Sequence, residues 1–195
     1  NLLYLEHLNG VQAAEGEADT GGDAAEPPAS VRLPDNHPLR AAKQWLYEGG
    51  IRVPFVVRGP GIQPGSVCHH PVAQYDLLPT FVDLAGGEGP LPGEIDGGSL
   101  RPALHSAGQE APQRALPGLV FHRPARGYSA LRVGDMKLVV NWAKNKKLEL
   151  FDVSRDIGEW NDLAGAMPEK ASEMYRVLTD YLKAVNAEAP KDVEY

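Results

Sequence analysis

The chain has 195 residues, with 19 Lys and Arg against 26 Asp and Glu, so its formal net charge is −7. A hydrophobic content of 43% is enough to form a core and excludes a wholly disordered chain. The acidic balance argues against a nucleic-acid-binding surface, and the single Cys excludes an internal disulfide or a multi-Cys zinc site. No apolar run is long enough to span a membrane.

The negative charge is concentrated in residues 1–30, which hold six acidic side chains and no Lys or Arg. The apolar stretch at 2–8 predicts a short buried strand or the end of a helix. Residues 10–30 are rich in Gly, Ala and acidic residues, so they lack the apolar surface that would offset the entropy of ordering. We predict a flexible segment there, with an acidic interaction segment as the alternative.

The middle of the chain predicts one strand and one helix. Residues 52–58 are β-branched and aromatic between Gly-rich turns, which predicts a buried strand. Residues 75–85 predict a helix, with Asp76 as its N-cap and Pro79 in the first turn, where a missing N–H does no harm. Its apolar face would comprise Leu77, Leu78, Phe81, Val82 and Leu84. Residues 88–118 are rich in Pro and predict loops.

The last third predicts four strands at 119–122, 128–133, 136–140 and 148–152, followed by a helix that starts near Pro168. Gly134 and Asp135 suit a tight hairpin turn. Apolar and polar residues alternate along the second and third strands, which predicts an antiparallel sheet covered on one face only. One face of the helix would pack on that sheet through Ala171, Met174, Leu178, Tyr181 or Leu182, and Val185.

The chemistry-bearing residues form no complete active site by spacing alone. Cys68 stands beside His69, but neighbours in an extended segment point to opposite faces, so a structural Cys is favoured over a nucleophile or metal ligand. Asp35, Asn36 and His37 have the atoms for a divalent cation but lack further carboxylates nearby. Lys43 precedes a Tyr-Glu-Gly-Gly turn, where it could bind an anion. By spacing alone, an ordinary surface Lys is favoured over an anion-binding one.

Residues 38–54 read PLRAAKQWLYEGGIRVP and closely resemble the sulfatase family of the alkaline-phosphatase superfamily. The family segment reads Pro-Leu-Arg-Gly-Gly-Lys and then Tyr-Glu-Gly-Gly-Ile-Arg-Val-Pro. Five further stretches agree in order, at 59–61, 76–86, 96–100, 129–138 and 150–164. Six ordered matches are far more specific than any one motif.

The resemblance implies an α/β fold with an α+β C-terminal subdomain. Part of an alkaline-phosphatase-like mixed sheet would be followed by a small four-stranded antiparallel sheet packed on a C-terminal helix. The expected division is a strand and acidic segment at 1–30, the C-terminal part of the α/β domain at 31–118, and the sheet-and-helix subdomain at 119–195.

The resemblance also implies sulfate-ester hydrolysis with a formylglycine nucleophile and Ca²⁺. Lys43 matches the family Lys that contacts the sulfate, so it is the predicted catalytic residue. Cys68 does not match the nucleophile motif Cys/Ser-x-Pro-x-Arg, because His70 and Val72 stand where Pro and Arg are needed. No other Cys or Ser of the chain fits the motif.

Two further site residues follow from the resemblance. Asn9 matches an Asn of the family metal site, although Leu8 replaces the neighbouring Asp; a plain turn is the alternative. His122 resembles a residue near the substrate mouth, with a structural His as the alternative. Ala41 and Ala42 replace two Gly residues of the family, which predicts a shift of the backbone around Lys43.

We therefore predict the C-terminal part of a sulfatase-like sulfuric ester hydrolase that acts on a sulfated small molecule or glycan. Its partner would be the N-terminal sulfatase domain, and neither Ca²⁺ nor formylglycine is expected on this chain alone, which should be inactive. A non-catalytic assembly module derived from a sulfatase is one alternative. A phosphate or phosphonate ester hydrolase of the superfamily is another. The resemblance favours a periplasmic or extracellular location.

Overall fold

A computed structural model describes the backbone of residues 3–4 and residues 36–87, 91, 95–116, 118–143, 145–191 and 193. The predicted metal ligand Asn9, the acidic segment at 10–30 and Asp35 lie outside the described residues. No helix in the described part of the chain is both long and apolar enough to cross a membrane.

Four antiparallel strands form the C-terminal sheet in the order β3-β4-β5-β6. They are β3 (Leu119–Arg123), β4 (Tyr128–Val133), β5 (Met136–Asn141) and β6 (Lys147–Asp152). The two-residue turn between β4 and β5 pairs Val133 with Met136, and its first residue, Gly134, has φ +56°, which Gly adopts without steric cost. The predicted strands and hairpin are confirmed.

Helix α4 (Pro168–Ala184) packs on one face of this sheet. The core between them is formed by Leu131, Leu138, Val140, Trp142 and Leu150 from the sheet, with Ala171, Met174, Leu178 and Leu182 from the helix. The predicted helical face is therefore confirmed as far as Leu182. Val185 is 48% exposed because the helix ends at Ala184, so its assignment to the buried face was wrong.

The opposite face of the sheet is also covered, which corrects the prediction of a half-covered sheet. Leu46 and Tyr47 pack there on Ala130, Val139 and Phe151. They belong to the segment that leads into α1 (Glu48–Ile51). The alternation of polar and apolar residues was misleading because one polar residue of this face, Lys137, is buried in an ion cluster rather than exposed to solvent.

The rest of the described chain holds β1 (Leu3–Tyr4) and β2 (Val56–Val57), which pair antiparallel, together with short helices. The predicted buried strand at 52–58 is only two residues long, and Val53 and Val56 are 66% and 47% exposed. Phe55 and Val57, by contrast, are partly buried against the core that contains Ile62, so the predicted burial is confirmed on one side of the segment only. A short helix, α3 (Arg101–His105), lies within the stretch predicted to be loops.

The predicted helix is confirmed as α2 (Leu77–Leu84), and a 3₁₀ turn at Gln74–Asp76 precedes it. Asp76 is the N-cap residue, but its side chain does not cap the helix. The carboxylate instead accepts from Arg114 Nε at 2.8 Å and from the N–H groups of Gly98 and Ala73 at 3.0 and 2.7 Å. The buried Asp76 therefore ties the 96–114 loops to α2.

Candidate functional site

Lys43 lies in an exposed turn at residues 40–45, here called the Lys43 turn. Its side chain makes no hydrogen bond or ion pair with any described residue. Ala41 and Gln44 flank it with φ values of +61° and +87°, in the left-handed region that costs a non-Gly residue about 1 kcal/mol. Ala41 therefore adopts the left-handed backbone conformation that a Gly would adopt at this position. For Ala this conformation has a free-energy cost that Gly avoids.

The Lys43 turn folds back on the two glycines at the start of α1. A Cβ on Gly49 would lie 2.2 Å from Ala41 O, and a Cβ on Gly50 would lie 2.1 Å from Trp45 O. The N–H of Gly49 donates to Arg40 O at 2.9 Å across the same contact. The Gly-Gly pair of the motif is thus explained by backbone packing, which fixes the shape of the turn around Lys43.

Two arginines from the C-terminal sheet hold the other side of the turn. Arg123, at the end of β3, donates from Nη1 to Gln44 O at 2.8 Å. Arg126, in the following 3₁₀ turn, donates from Nη2 to Gln44 Oε1 at 2.6 Å and lies 5.9 Å from the ring centroid of Trp45. The residue after Lys43 is therefore bound through both its main chain and its side chain.

Behind the turn, a buried ion cluster joins α1 to the sheet. Lys137 Nζ lies 2.9 Å from Glu48 Oε1 and 2.8 Å from Glu159 Oε1, and all three side chains are buried. Arg52 and Arg132 approach the other oxygen of Glu48 at 2.9 and 3.3 Å. Glu159 Oε2 accepts from the N–H of Glu48 at 2.6 Å.

The pKa values of the two carboxylates in the cluster are shifted in opposite directions. Burial opposes ionisation of Glu48, but the positive charges of Lys137 and Arg132 outweigh it and lower its pKa. Burial raises the pKa of Glu159 despite the attraction of Lys137. Glu159 also has a left-handed φ of +56°, which the surrounding contacts hold in place.

Arg40 completes the contacts between the Lys43 turn and the sheet. Its guanidinium lies 3.9 Å from the ring centroid of Tyr47, donates to Glu159 O at 3.1 Å and approaches Glu149 at 3.7 Å. Tyr47 in turn donates to Glu149 Oε2 at 2.6 Å. These contacts indicate that Arg40 and Tyr47 hold the matched 38–54 motif on the C-terminal sheet.

His122 lies on β3, one residue before Arg123. Its Nδ1 lies 2.8 Å from Ser129 Oγ and its Nε2 lies 2.7 Å from Glu188 O, so both ring nitrogens contact protein groups. Adjacent residues of a strand face opposite ways, so the side chains of His122 and Arg123 do not share a face of the sheet. The substrate-binding role of His122 stays a prediction.

Cys68 lies in a small core with Ile62, Leu100, Ala103 and Leu104, and it is only 3% exposed. Burial raises the pKa of its thiol, which disfavours the reactive thiolate. Among the residues that the structure describes, no group of three or more His, Cys, Asp and Glu side chains is placed to hold a metal ion. Asn36, part of the alternative cation site, donates to Gly49 O at 2.7 Å.

Sequence reasoning missed Arg123 and Arg126, because nothing in the local pattern links them to a turn about 80 residues away. It also gave no role to Glu48, Lys137 and Glu159, although all three stand in the matched motifs. Lys137 is a charged residue among the apolar residues of a predicted strand, and this feature could have indicated a buried ion pair.

The family profile described as "N-sulphoglucosamine sulphohydrolase, C-terminal" matches residues 40–188. Arylsulfatase K of Xenopus laevis is 31% identical over 157 residues, which cover 72% of this chain and 28% of that protein. N-acetylglucosamine-6-O-sulfatase of Bacteroides thetaiotaomicron is 28% identical, covering 78% of this chain and 28% of that protein. Human arylsulfatase A is 32% identical, covering 80% and 36%. The chain thus spans about a third of the length of these relatives.

Solved structures are also similar to this chain in sequence and in fold. A crystal structure of Ps i-CgsB in complex with k-i-k-neocarrahexaose has a TM-score of 0.64 and 30% identity, covering 75% of this chain and 32% of that one. BT4656 in complex with its substrate D-glucosamine-2-N,6-O-disulfate has a TM-score of 0.57 and 26% identity, covering 72% and 30%.

Proposed function

Because the chain belongs to the sulfatase family and corresponds to its C-terminal portion, we propose that it contributes Lys43 to the hydrolysis of a sulfate ester. The observation that carries the proposal is the state of Lys43 itself. It lies exposed and without an ion-pair partner among the described residues, in a turn held by Gly49 and Gly50 on one side and by Arg123 on the other.

The chemistry follows from the ammonium group. Lys43 would donate hydrogen bonds to a non-bridging sulfate oxygen and stabilise negative charge as the ester bond breaks. A turn with a fixed backbone limits the reorganisation this requires, since the charge is already in place when the reaction begins. The buried ion cluster would keep that turn fixed on the sheet.

The nucleophile and the metal would come from elsewhere in the longer protein. The family resemblance implies a formylglycine and a Ca²⁺ that polarises the sulfate, but the described residues of this chain do not assemble a metal site. Asn9 is the proposed contribution to that site. We also propose that β1 and β2 belong to a larger alkaline-phosphatase-like sheet completed by an N-terminal sulfatase domain.

The proposed substrate is a sulfated small molecule or glycan. Relatives whose names specify a sulfated sugar support this class, among them N-acetylglucosamine-6-O-sulfatase and the complex with a disulfated glucosamine. A periplasmic or extracellular site of action fits a relative named as an extracellular sulfatase homolog.

The first test is the turnover of 4-nitrophenyl sulfate by the 195-residue chain with Ca²⁺ present. We expect none, because the chain lacks the Cys/Ser-x-Pro-x-Arg motif. Robust Ca²⁺-dependent turnover would refute the proposal that this chain supplies only part of the active site.

The second test concerns Lys43 directly. Titration of the ¹⁵N-labelled chain with 4-nitrophenyl sulfate should produce saturable shifts in the amides of residues 41–45. Lys43→Ala should abolish them, whereas Lys170→Ala, a charge loss on α4, should leave them intact. Identical shifts in the parent chain and Lys43→Ala would contradict a sulfate-contacting role.

A further inference from the structure

The positive side chains around the Lys43 turn fall into two groups. Arg40, Arg52, Arg132 and Lys137 each have a carboxylate partner. Arg123 and Arg126 have none among the described residues, and their hydrogen bonds go to the neutral oxygens of Gln44. Lys43 has no partner in that part of the chain either. In the described part of the chain, Lys43, Arg123 and Arg126 therefore carry positive charges without a carboxylate partner, and both arginines contact the residue next to Lys43.

The two guanidiniums lie at the residue that follows Lys43 in the chain. Both guanidiniums lie within 3 Å of atoms of Gln44, at 2.8 and 2.6 Å, and Gln44 follows Lys43 directly. Each guanidinium carries five N–H donors and uses one of them in these bonds, so most of its donors stay available. Arg126 is exposed and Arg123 is partly exposed, so solvent and ligands can reach both.

We propose that Arg123 and Arg126 form a second anion-binding site beside Lys43, which takes a further sulfate or carboxylate group of a multiply sulfated saccharide. The inference rests on the proposed role of Lys43 toward the first sulfate. Guanidinium groups suit this task because their planar donors match two oxygens of one oxyanion. The site would give the protein a preference for substrates with more than one anionic group.

The test measures binding of a fluorescent, fully sulfated heparin hexasaccharide to the full chain at increasing salt. We expect the double variant Arg123→Ala with Arg126→Ala to bind about tenfold more weakly, from the loss of charge-assisted hydrogen bonds. The double variant Arg176→Ala with Lys183→Ala is the matched control, since it also removes two positive charges, from exposed positions on α4. Equal affinities for the two double variants would overturn the proposal.

A purely structural role for the arginines is tested by Gln44→Ala, which removes the Oε1 acceptor of Arg126 but keeps both arginines and the main-chain acceptor of Arg123. An anion site predicts that this variant retains hexasaccharide binding, whereas a role in holding the turn predicts a loss as large as that of Arg126→Ala. The latter result would overturn the proposal.

The two proposals fail in different ways. If Lys43→Ala still binds 4-nitrophenyl sulfate like the parent chain while the arginine variants lose hexasaccharide affinity, the second site stands and the role of Lys43 falls. If Lys43→Ala loses the monosulfate but the arginine variants keep full hexasaccharide affinity, the role of Lys43 stands and the second site falls.

Discussion

Lys137 Nζ lies 2.9 Å from Glu48 Oε1 across a separation of 89 residues, and both side chains are buried. Glu48 begins the helix that follows the Lys43 turn, and Lys137 lies on β5. The pair, with Glu159, therefore connects the segment that carries the proposed sulfate contact to the C-terminal sheet. Breaking it should affect both the stability of the fold and the order of the turn.

We expect Lys137→Met to lower the free energy of unfolding by about 3–5 kcal/mol, because it leaves Glu48 and Glu159 buried beside each other without their shared cation. Urea denaturation at neutral pH measures the change. Lys170→Met is the control, since Lys170 pairs with Glu173 at the surface and such pairs contribute about 0–1 kcal/mol. Equal stability losses in the two variants would contradict the role of the cluster.

The pH dependence of the free energy of unfolding should show how much the ionised Glu48 carboxylate contributes to stability. Its pKa is lowered in the folded protein from 4.5, so its ionised form contributes stability that is present above pH 4.5 and is lost as the pH falls through its folded pKa. The stability difference between the parent chain and Glu48→Gln should therefore be largest at neutral pH and shrink below pH 4.5.

Urea titrations between neutral pH and about pH 3 measure that difference, and carboxylates that do not interact with Glu48 cancel because both proteins contain them. Glu159 does not cancel, because the charge of Glu48 helps to raise its pKa. Glu173→Gln serves as the control, since its carboxylate is exposed in a surface pair. A difference between parent and Glu48→Gln that does not change across this range would show that the carboxylate of Glu48 is not stabilised by its neighbours.

Gly49→Ala should destabilise the protein by about 1–3 kcal/mol, the usual range for forcing an extra carbon into a packed site. The added Cβ would lie 2.2 Å from Ala41 O, where neither main chain can move without opening the Lys43 turn. Gly165→Ala is a matched control, because nothing lies within 4 Å of its Cβ position and its φ is not left-handed. We expect that variant to be neutral or slightly more stable.

The large apolar side chains exposed on α2 and near β2 should bind a hydrophobic dye. Leu78, Phe81 and Val53 are 52%, 62% and 66% exposed. We expect the chain to enhance anilinonaphthalene sulfonate fluorescence, and Leu78→Ser with Phe81→Ser to reduce that signal more than Met167→Ser, a control at an exposed Met elsewhere. A dye-silent parent chain would mean that this surface is covered in solution.

The sequence by itself determined the family and the C-terminal half of the fold. Strand periodicity, the Gly134 turn and the apolar face of α4 are local patterns, and the core between β5 and α4 follows from them because apolar burial is the main driving force of packing. The ordered motifs identified Lys43 through resemblance, whereas its spacing alone favoured an ordinary surface Lys.

The tertiary structure decided which residues surround Lys43. The second covered face of the sheet, the burial of Lys137 and the convergence of Arg123 and Arg126 on Gln44 all join segments about 80 or more residues apart. Periodicity reports only which face of an element is apolar, and a charged side chain looks solvent-exposed until its partner is known. The environment of Lys43 therefore depends on long-range contacts, which local sequence patterns do not encode.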